Sequence, residues 1–187
     1  LVDNNGTYGL TKGQFSATND KGSTSKKGIP NLYEPIDLVS MALQLGASFV
    51  ARSFSGDKKQ LVPLIKAALK HKGMAFIDVI SPCVAFNNHV GSTKSYEFTR
   101  DHLDTAVNAD LILTSPEVTA DYEEGAREDV AMPDGSTLRL YKLDADYDPH
   151  DRVGALNYVQ KMQEEGTVVT GLLYVDTDPV ECHDIMG

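Results

Sequence analysis

A parallel α/β sheet followed by a mixed α+β extension is the fold class this sequence predicts, and three observations predict it. Through residues 1–80, apolar β-branched runs alternate with amphipathic helical patterns, as in units built with right-handed crossovers. Beyond residue 100 this gives way to two strand-like runs joined by Pro133-Asp134-Gly135, a strong turn signal. At 187 residues, 41% of them hydrophobic, the chain is long enough to bury one real core.

The elements follow in order. Leu1-Val2-Asp3 reads as a strand end. Residues 5–31 lack hydrophobic periodicity and are rich in Gly, Ser, Thr, Asn and Lys, so they read as one long loop of the functional or disordered kind. A helix is expected to open at Pro35, with Ile36, Leu38, Val39, Ala42 and Leu43 at helical spacing, and to stop at Gly46. Ser48 to Arg52 reads as a short strand. Lys58 to Lys72 reads as a second helix, with Leu61, Leu64, Ile65, Ala68 and Leu69 on one face and Lys66 and Lys70 on the other. Met74 to Ile80, between Gly73 and Pro82, suits a buried strand. Glu128–Met132 and Ser136–Leu143 are the paired strand-like runs. Asp151 to Glu165 is a last helix with an acidic cap and Gly166 behind it, and Thr167–Val175 a last strand.

In parallel α/β sheets, ligands bind beyond the carboxyl ends of the strands. Residues 5–31 and 81–92 each follow a strand directly, which places both on that edge.

Charge sharpens this. The net charge is −10, split as +5 over residues 1–100 and −15 over the remainder. A basic half suits an anionic ligand, while an acidic run is ordinarily a solvated face. The overall balance argues against nucleic-acid binding, which needs excess Lys and Arg. No apolar run approaches the roughly 18 residues of a membrane helix. Two cysteines, Cys83 and Cys182, make no disulfide scaffold and suit a reducing cytoplasm.

No dinucleotide fingerprint, phosphate-loop signature, Cys-x-x-Cys or zinc-like His spacing is present, and His150-Asp151 at a helix start reads as capping. Three segments stand out. The first runs from Asn4 to Gln14: a side-chain amide and backbone carbonyls are the hard oxygens Mg²⁺ accepts beside phosphate. Gly9 and Gly13 allow close approach, and Lys12 puts a cation between them. The alternative is a plain hairpin built on Asn-Gly. The second is Ser81-Pro82-Cys83, where Pro82 fixes the exit from a strand; a lone Cys is otherwise a small buried hydrophobe. The third is Phe86-Asn87-Asn88-His89-Val90-Gly91-Ser92, a polar loop that reads equally as a helix-start connection.

These segments carry a family resemblance. Tyr8-Gly9-Leu10-Thr11-Lys12-Gly13-Gln14, with Asn5-Gly6-Thr7 before it, resembles the Y-G-L-T-K-G-Q signature of the beta subunit of 2-oxoacid:ferredoxin oxidoreductases. Gly46-Ala47-Ser48-Phe49-Val50-Ala51-Arg52, Ile80-Ser81-Pro82-Cys83 and Gly171-Leu172-Leu173-Tyr174-Val175 are similar to later blocks of that subunit, in the same order. The resemblance implies a thiamine diphosphate-binding fold over residues 1–92, with a beta-subunit extension over 93–187. It implies oxidative decarboxylation of a 2-oxoacid to acyl-coenzyme A, 2-oxoglutarate favoured and pyruvate the second candidate, with electrons passed to ferredoxin. An alpha subunit would be the partner and the cytoplasm the location.

By the same resemblance, Asn5 and the Thr7 main-chain carbonyl match Mg²⁺ ligands. Tyr8, Gly9, Leu10 and Thr11 line the cofactor, Lys12 matches the active-site lysine, and Cys83 matches one ligand of a [4Fe-4S] cluster. The family's G-D-G motif and other cluster cysteines belong upstream of Asn5, so the sequence is expected to be a C-terminal piece, inactive alone. A non-catalytic assembly or electron-transfer subunit and a simple phosphate-binding domain are the rival readings.

Overall fold

The computed structural model describes residues 1–23, 28–81, 120–131, 137–143, 146–180 and 184. Cys83, Cys182, the loop after Pro82 and the turn at residues 133–135 lie outside the described residues. Among the described residues, eight strands and three helices follow one another as β1 (Val2–Asn4), β2 (Thr7–Tyr8), β3 (Gln14–Phe15), α1 (Leu38–Gln44), β4 (Phe49–Phe54), α2 (Lys58–Lys70), β5 (Ala75–Ile80), β6 (Arg127–Ala131), β7 (Thr137–Lys142), α3 (Arg152–Glu164) and β8 (Val168–Val175).

Six strands form one mixed sheet in the order β1-β5-β4-β8-β7-β6. β1, β5 and β4 run parallel; β8 pairs antiparallel with β4, β7 parallel with β8, and β6 antiparallel with β7. Strands from the C-terminal extension thus continue the sheet that the first eighty residues begin. Helices cover both faces. Val39 and Leu43 of α1 and Val159 and Met162 of α3 pack with Val50 and Leu173. On the other face, Leu61, Leu64, Ile65 and Ala68 of α2 meet Phe49, Ala51, Ile77 and Val79. Being covered on both sides, β4 is buried at every residue, which is why it does not alternate apolar with polar, and why its Arg52 and Ser53 are buried as well.

Four details differ from the expectations. α1 begins at Leu38, not Pro35, because Asp37 is its cap and accepts from Ser40 N at 2.6 Å. Leu69 turns away from the α2 contact face and is 82% exposed. The loop at 5–31 contains the small antiparallel pair β2–β3. Its second half is organised by Asn31, whose buried side chain donates to the Asn19 carbonyl at 2.9 Å and accepts from Tyr33 N at 3.2 Å. Its side-chain amide thus supplies the order that periodicity does not show. At α3, Asp151 accepts from Gly154 N at 2.9 Å, so the His150-Asp151 pair caps as read. Among the described residues no helix is long and apolar enough to cross a membrane.

Candidate functional site

Because β1, β5 and β4 are parallel, Asn4, Ile80 and Phe54 end at one edge of the sheet. Ser81 N donates to the Asn4 carbonyl at 3.0 Å, so the chain after β1 and the chain after β5 leave that edge side by side. The first of these is the β2–β3 hairpin. Asn5 starts it with an Asx turn, its Oδ1 accepting from Thr7 N at 3.0 Å. Ser16 N donates to the Gly6 carbonyl at 2.9 Å and Gly13 N to the Tyr8 carbonyl at 3.0 Å, closing base and tip. Lys12 N reaches the Gly9 carbonyl at 3.1 Å, and Lys12 itself sits in the left-handed region at φ 80°. A side chain there costs backbone energy that only glycine escapes, so the tip holds the Lys12 backbone in an unfavourable conformation. Thr11 Oγ1 donates to Gln14 Oε1 across the tip. Leu10 stands fully exposed beside it.

Two neighbouring asparagines divide the work. Asn4 is committed at both ends: Nδ2 donates to Asp78 Oδ1 at 3.1 Å and Oδ1 accepts from Thr18 Oγ1 at 2.7 Å. Asn5 is exposed, and its Oδ1 accepts from the Thr7 amide at 3.0 Å and, at longer range, from the Thr7 hydroxyl at 3.5 Å, a hydroxyl that can turn away to free the second lone pair. An outward amide oxygen, carbonyls of a glycine-hinged hairpin and a nearby ammonium form the donor chemistry of a magnesium–diphosphate group. The residues fit such a group. The expected site residues from Asn5 to Lys12 lie together on this one hairpin.

Sequence reasoning missed what lies beneath it. Arg52 and Asp78 are directly paired in the β4–β5 register, and Arg52 Nε donates to Asp78 Oδ2 at 2.9 Å with side-chain exposures of 6% and 0%. Arg52 Nη2 also donates to Asp37 Oδ2. Burial opposes the Arg52 charge, but the two carboxylates more than offset it and hold the guanidinium above its ordinary pKa. For Asp37 burial pushes upward; the Arg52 charge and the Ser40 and Arg52 hydrogen bonds prevail and hold it below the usual carboxylate range. The signal was present: two opposite charges inside apolar strand runs, where charges are buried only when paired.

Residues 1–79 match the family model described as the thiamine pyrophosphate enzyme C-terminal TPP-binding domain. That span ends at β5 and contains the whole hairpin. The 2-oxoacid:ferredoxin oxidoreductase beta subunits of Sulfolobus sp and Saccharolobus solfataricus are 39% and 43% identical to this chain over 118 and 119 residues. The chain is similar to these beta subunits over that span. Each alignment covers 63% of the chain and 38% of the relative's own length. A solved 2-oxoglutarate:ferredoxin oxidoreductase from Magnetococcus marinus, with 2-oxoglutarate, coenzyme A and succinyl-CoA bound, shares the fold. Its TM-score is 0.64 at 24% identity, over 98% of this chain and 49% of that one.

Proposed function

We propose that this chain is part of the beta subunit of a 2-oxoacid:ferredoxin oxidoreductase and that its β2–β3 hairpin closes over the metal and diphosphate of thiamine diphosphate. Thiamine diphosphate, when bound, supplies the carbanion chemistry that cleaves beside a 2-oxo carbon. Asn5 Oδ1 and the Thr7 carbonyl would ligate Mg²⁺, with Tyr8, Gly9, Leu10 and Thr11 shaping the wall. Lys12, held at the tip by its left-handed backbone, would face the substrate's negative charge. A second carboxylate makes 2-oxoglutarate the favoured substrate over pyruvate. Cys83 would give one thiolate to a [4Fe-4S] cluster whose other ligands come from elsewhere in the subunit. That cluster would carry electrons to ferredoxin, with coenzyme A taking the acyl group and an alpha subunit completing the enzyme in the cytoplasm.

One observation carries this reading: the outward Asn5 amide and the tip cation share one hairpin at the carboxyl edge of parallel strands, inside the span matched to the TPP-binding domain. Titration calorimetry of the full-length subunit tests it. Asn5→Ala is expected to weaken Mg²⁺–thiamine diphosphate binding by about 10–100-fold, the scale seen when metal-site partners are removed, with an unchanged circular dichroism spectrum. Unchanged affinity would remove Asn5 from the site.

A further inference from the structure

We propose that Thr18, Asn4, Asp78 and Arg52 form a positioning relay, half-buried at Thr18 and Asn4 and buried at Asp78 and Arg52, that fixes both ends of the hairpin relative to the sheet, and so sets its affinity for a metal–diphosphate group; in naming that group it rests on the reading above. None of the four belongs to the expected ligand set. Their hydrogen bonds run without a break from the end of the hairpin to the centre of the sheet.

The direction of each bond follows from chemistry. Asp78, opposite Arg52 and fully buried, presents a carboxylate that only accepts. Asn4 must therefore turn its NH₂ toward Asp78 Oδ1, 3.1 Å away, and its carbonyl oxygen toward Thr18. Thr18 Oγ1 must donate there, at 2.7 Å. Its remaining contact, Ser16 Oγ at 2.9 Å, must then be the donor to it. A single buried carboxylate thus decides the orientation of every group up to Ser16. Asn4 is the residue before Asn5, and Thr18 follows the hairpin's returning strand, so both ends are tied to the same anchor.

Backbone bonds extend the tie. Ser16 N donates to the Gly6 carbonyl, and Ile36 N donates to the Ala17 carbonyl at 2.8 Å. Asp37, next along, is Arg52's other partner. The start of α1 through Asp37, and the end of β1 through Asp78, are therefore tied to one guanidinium, with the hairpin's returning strand bonded to both. A buried ion triad is an expensive way to gain stability, and apolar replacements of similar volume often do as well. What apolar residues cannot do is dictate which way an amide faces. That is the service this relay performs for the Asn5 neighbourhood.

Substituting Arg52 or Asp78 would leave an unpaired buried charge and unfold the sheet, so the test acts at the far end. In the full-length subunit, Thr18→Val removes the hydroxyl and nearly keeps the shape, while Thr18→Ser restores it. Without cofactor, hydrogen exchange at the Gly13 and Ser16 amides is expected to rise at least about tenfold in Thr18→Val and to return in Thr18→Ser. The Ala51 and Ile77 amides should not change. Affinity for Mg²⁺–thiamine diphosphate should fall about tenfold in the Val variant and recover in the Ser variant. Unchanged hairpin exchange, or equal acceleration in the sheet, overturns the relay; faster hairpin exchange with unchanged affinity overturns its positioning role. A wild-type subunit that does not bind the cofactor overturns the functional reading instead, and the exchange arm alone then decides the relay.

Discussion

Lys142 Nζ lies 2.8 Å from Asp57 Oδ2, joining β7 to the cap of α2 with side-chain exposures of 14% and 2%. The contact is ionic rather than a well-aligned hydrogen bond: the ammonium is directed at the Tyr122 carbonyl, 2.7 Å away, and Asp57 Oδ2 has no aligned donor. The same ammonium sits 4.5 Å from the Tyr122 ring centroid. Asp57 Oδ1 meanwhile accepts from Gln60 N at 3.1 Å. One lysine from the C-terminal extension thus neutralises a buried carboxylate just beyond the end of β4. Lys142→Met keeps the stem and removes the charge, so it should destabilise the protein by about 3–5 kcal/mol, the usual result of breaking a buried pair. Urea unfolding measures this, and a loss under about 1 kcal/mol would show that Asp57 is adequately solvated without its partner.

Acid stability depends on Asp37 in a way that can be isolated. Its folded-state pKa is lowered: burial raises it, but Arg52 and the Ser40 amide outweigh that. A lowered carboxyl contributes stability that is present above the unfolded value of about 3.9 and is lost as pH falls through the folded one. Asn is as good a cap as Asp, so Asp37→Asn removes the charge and spares the helix start. The variant's melting temperature should lie below the wild type's at neutral pH, with the gap closing below about pH 4. A gap that stays constant down to the acid transition would sever Asp37 from the acid response.

The alkaline limb has the opposite sign. Burial pushes the Tyr122 phenol up to about 12, against a hydrogen bond with Thr170 that lowers it and with help from Asp57 and Glu128. Burial, with Asp151 and Asp148, does the same to Tyr147, also to about 12. A raised phenol stabilises the fold below its unfolded value of about 10, and that stabilisation is lost as pH rises through the folded value. Tyr122→Phe should therefore lose stability less steeply than wild type between about pH 10 and 12. Phenolate absorbance should show two fewer late-titrating tyrosines on denaturation. Parallel stability curves for the two proteins would contradict this.

What the sequence disclosed and what it hid have physical reasons. Strand and helix periods are local, so β4, β5, α2, α3 and β8 could be read within a few residues of their ends, as could the turn toward a mixed tail. The shared edge of the hairpin and the exit of β5 followed from parallel connectivity. The inner order of residues 5–31 was not legible, because it rests on side-chain amides at Asn4, Asn5 and Asn31 rather than on apolar spacing. The Arg52–Asp78 pairing required the β4–β5 register, which no single segment contains. Lys142 against Asp57 spans eighty-five positions and depends on where the extension folds back.

Cys83 follows Ser81 by two positions and lies outside the described residues, yet Ser81 is bonded to the end of β1 at the edge where the hairpin emerges. Under the proposal that it ligates a cluster, its loss should be specific. In the full-length enzyme, Cys83→Ser is expected to bleach the iron–sulfur absorbance and abolish ferredoxin reduction, because a four-iron cluster held by four thiolates tolerates the loss of one poorly. Cys182→Ser should leave both unchanged. An intact cluster in the Cys83 variant would return that residue to ordinary packing.

Lys12 offers the sharpest separation between a substrate role and a cofactor role. Its backbone is held left-handed between the Gly9 and Tyr8 carbonyl contacts, so the side chain starts from a fixed point at the tip. The ammonium is exposed, and its attraction for an anion grows once a bound cofactor and partner subunit exclude water. A 2-oxoacid with a second carboxylate gains one more charge-assisted contact than pyruvate does. Lys12→Ala in the full-length enzyme should therefore raise KM for 2-oxoglutarate by roughly tenfold or more, with a smaller rise for pyruvate. High salt should narrow the difference between the substrates in the wild type and leave the variant nearly indifferent. Equal losses on both substrates would move Lys12 from substrate recognition to the cofactor, and no loss on either would make it a solvated lysine on a strained turn.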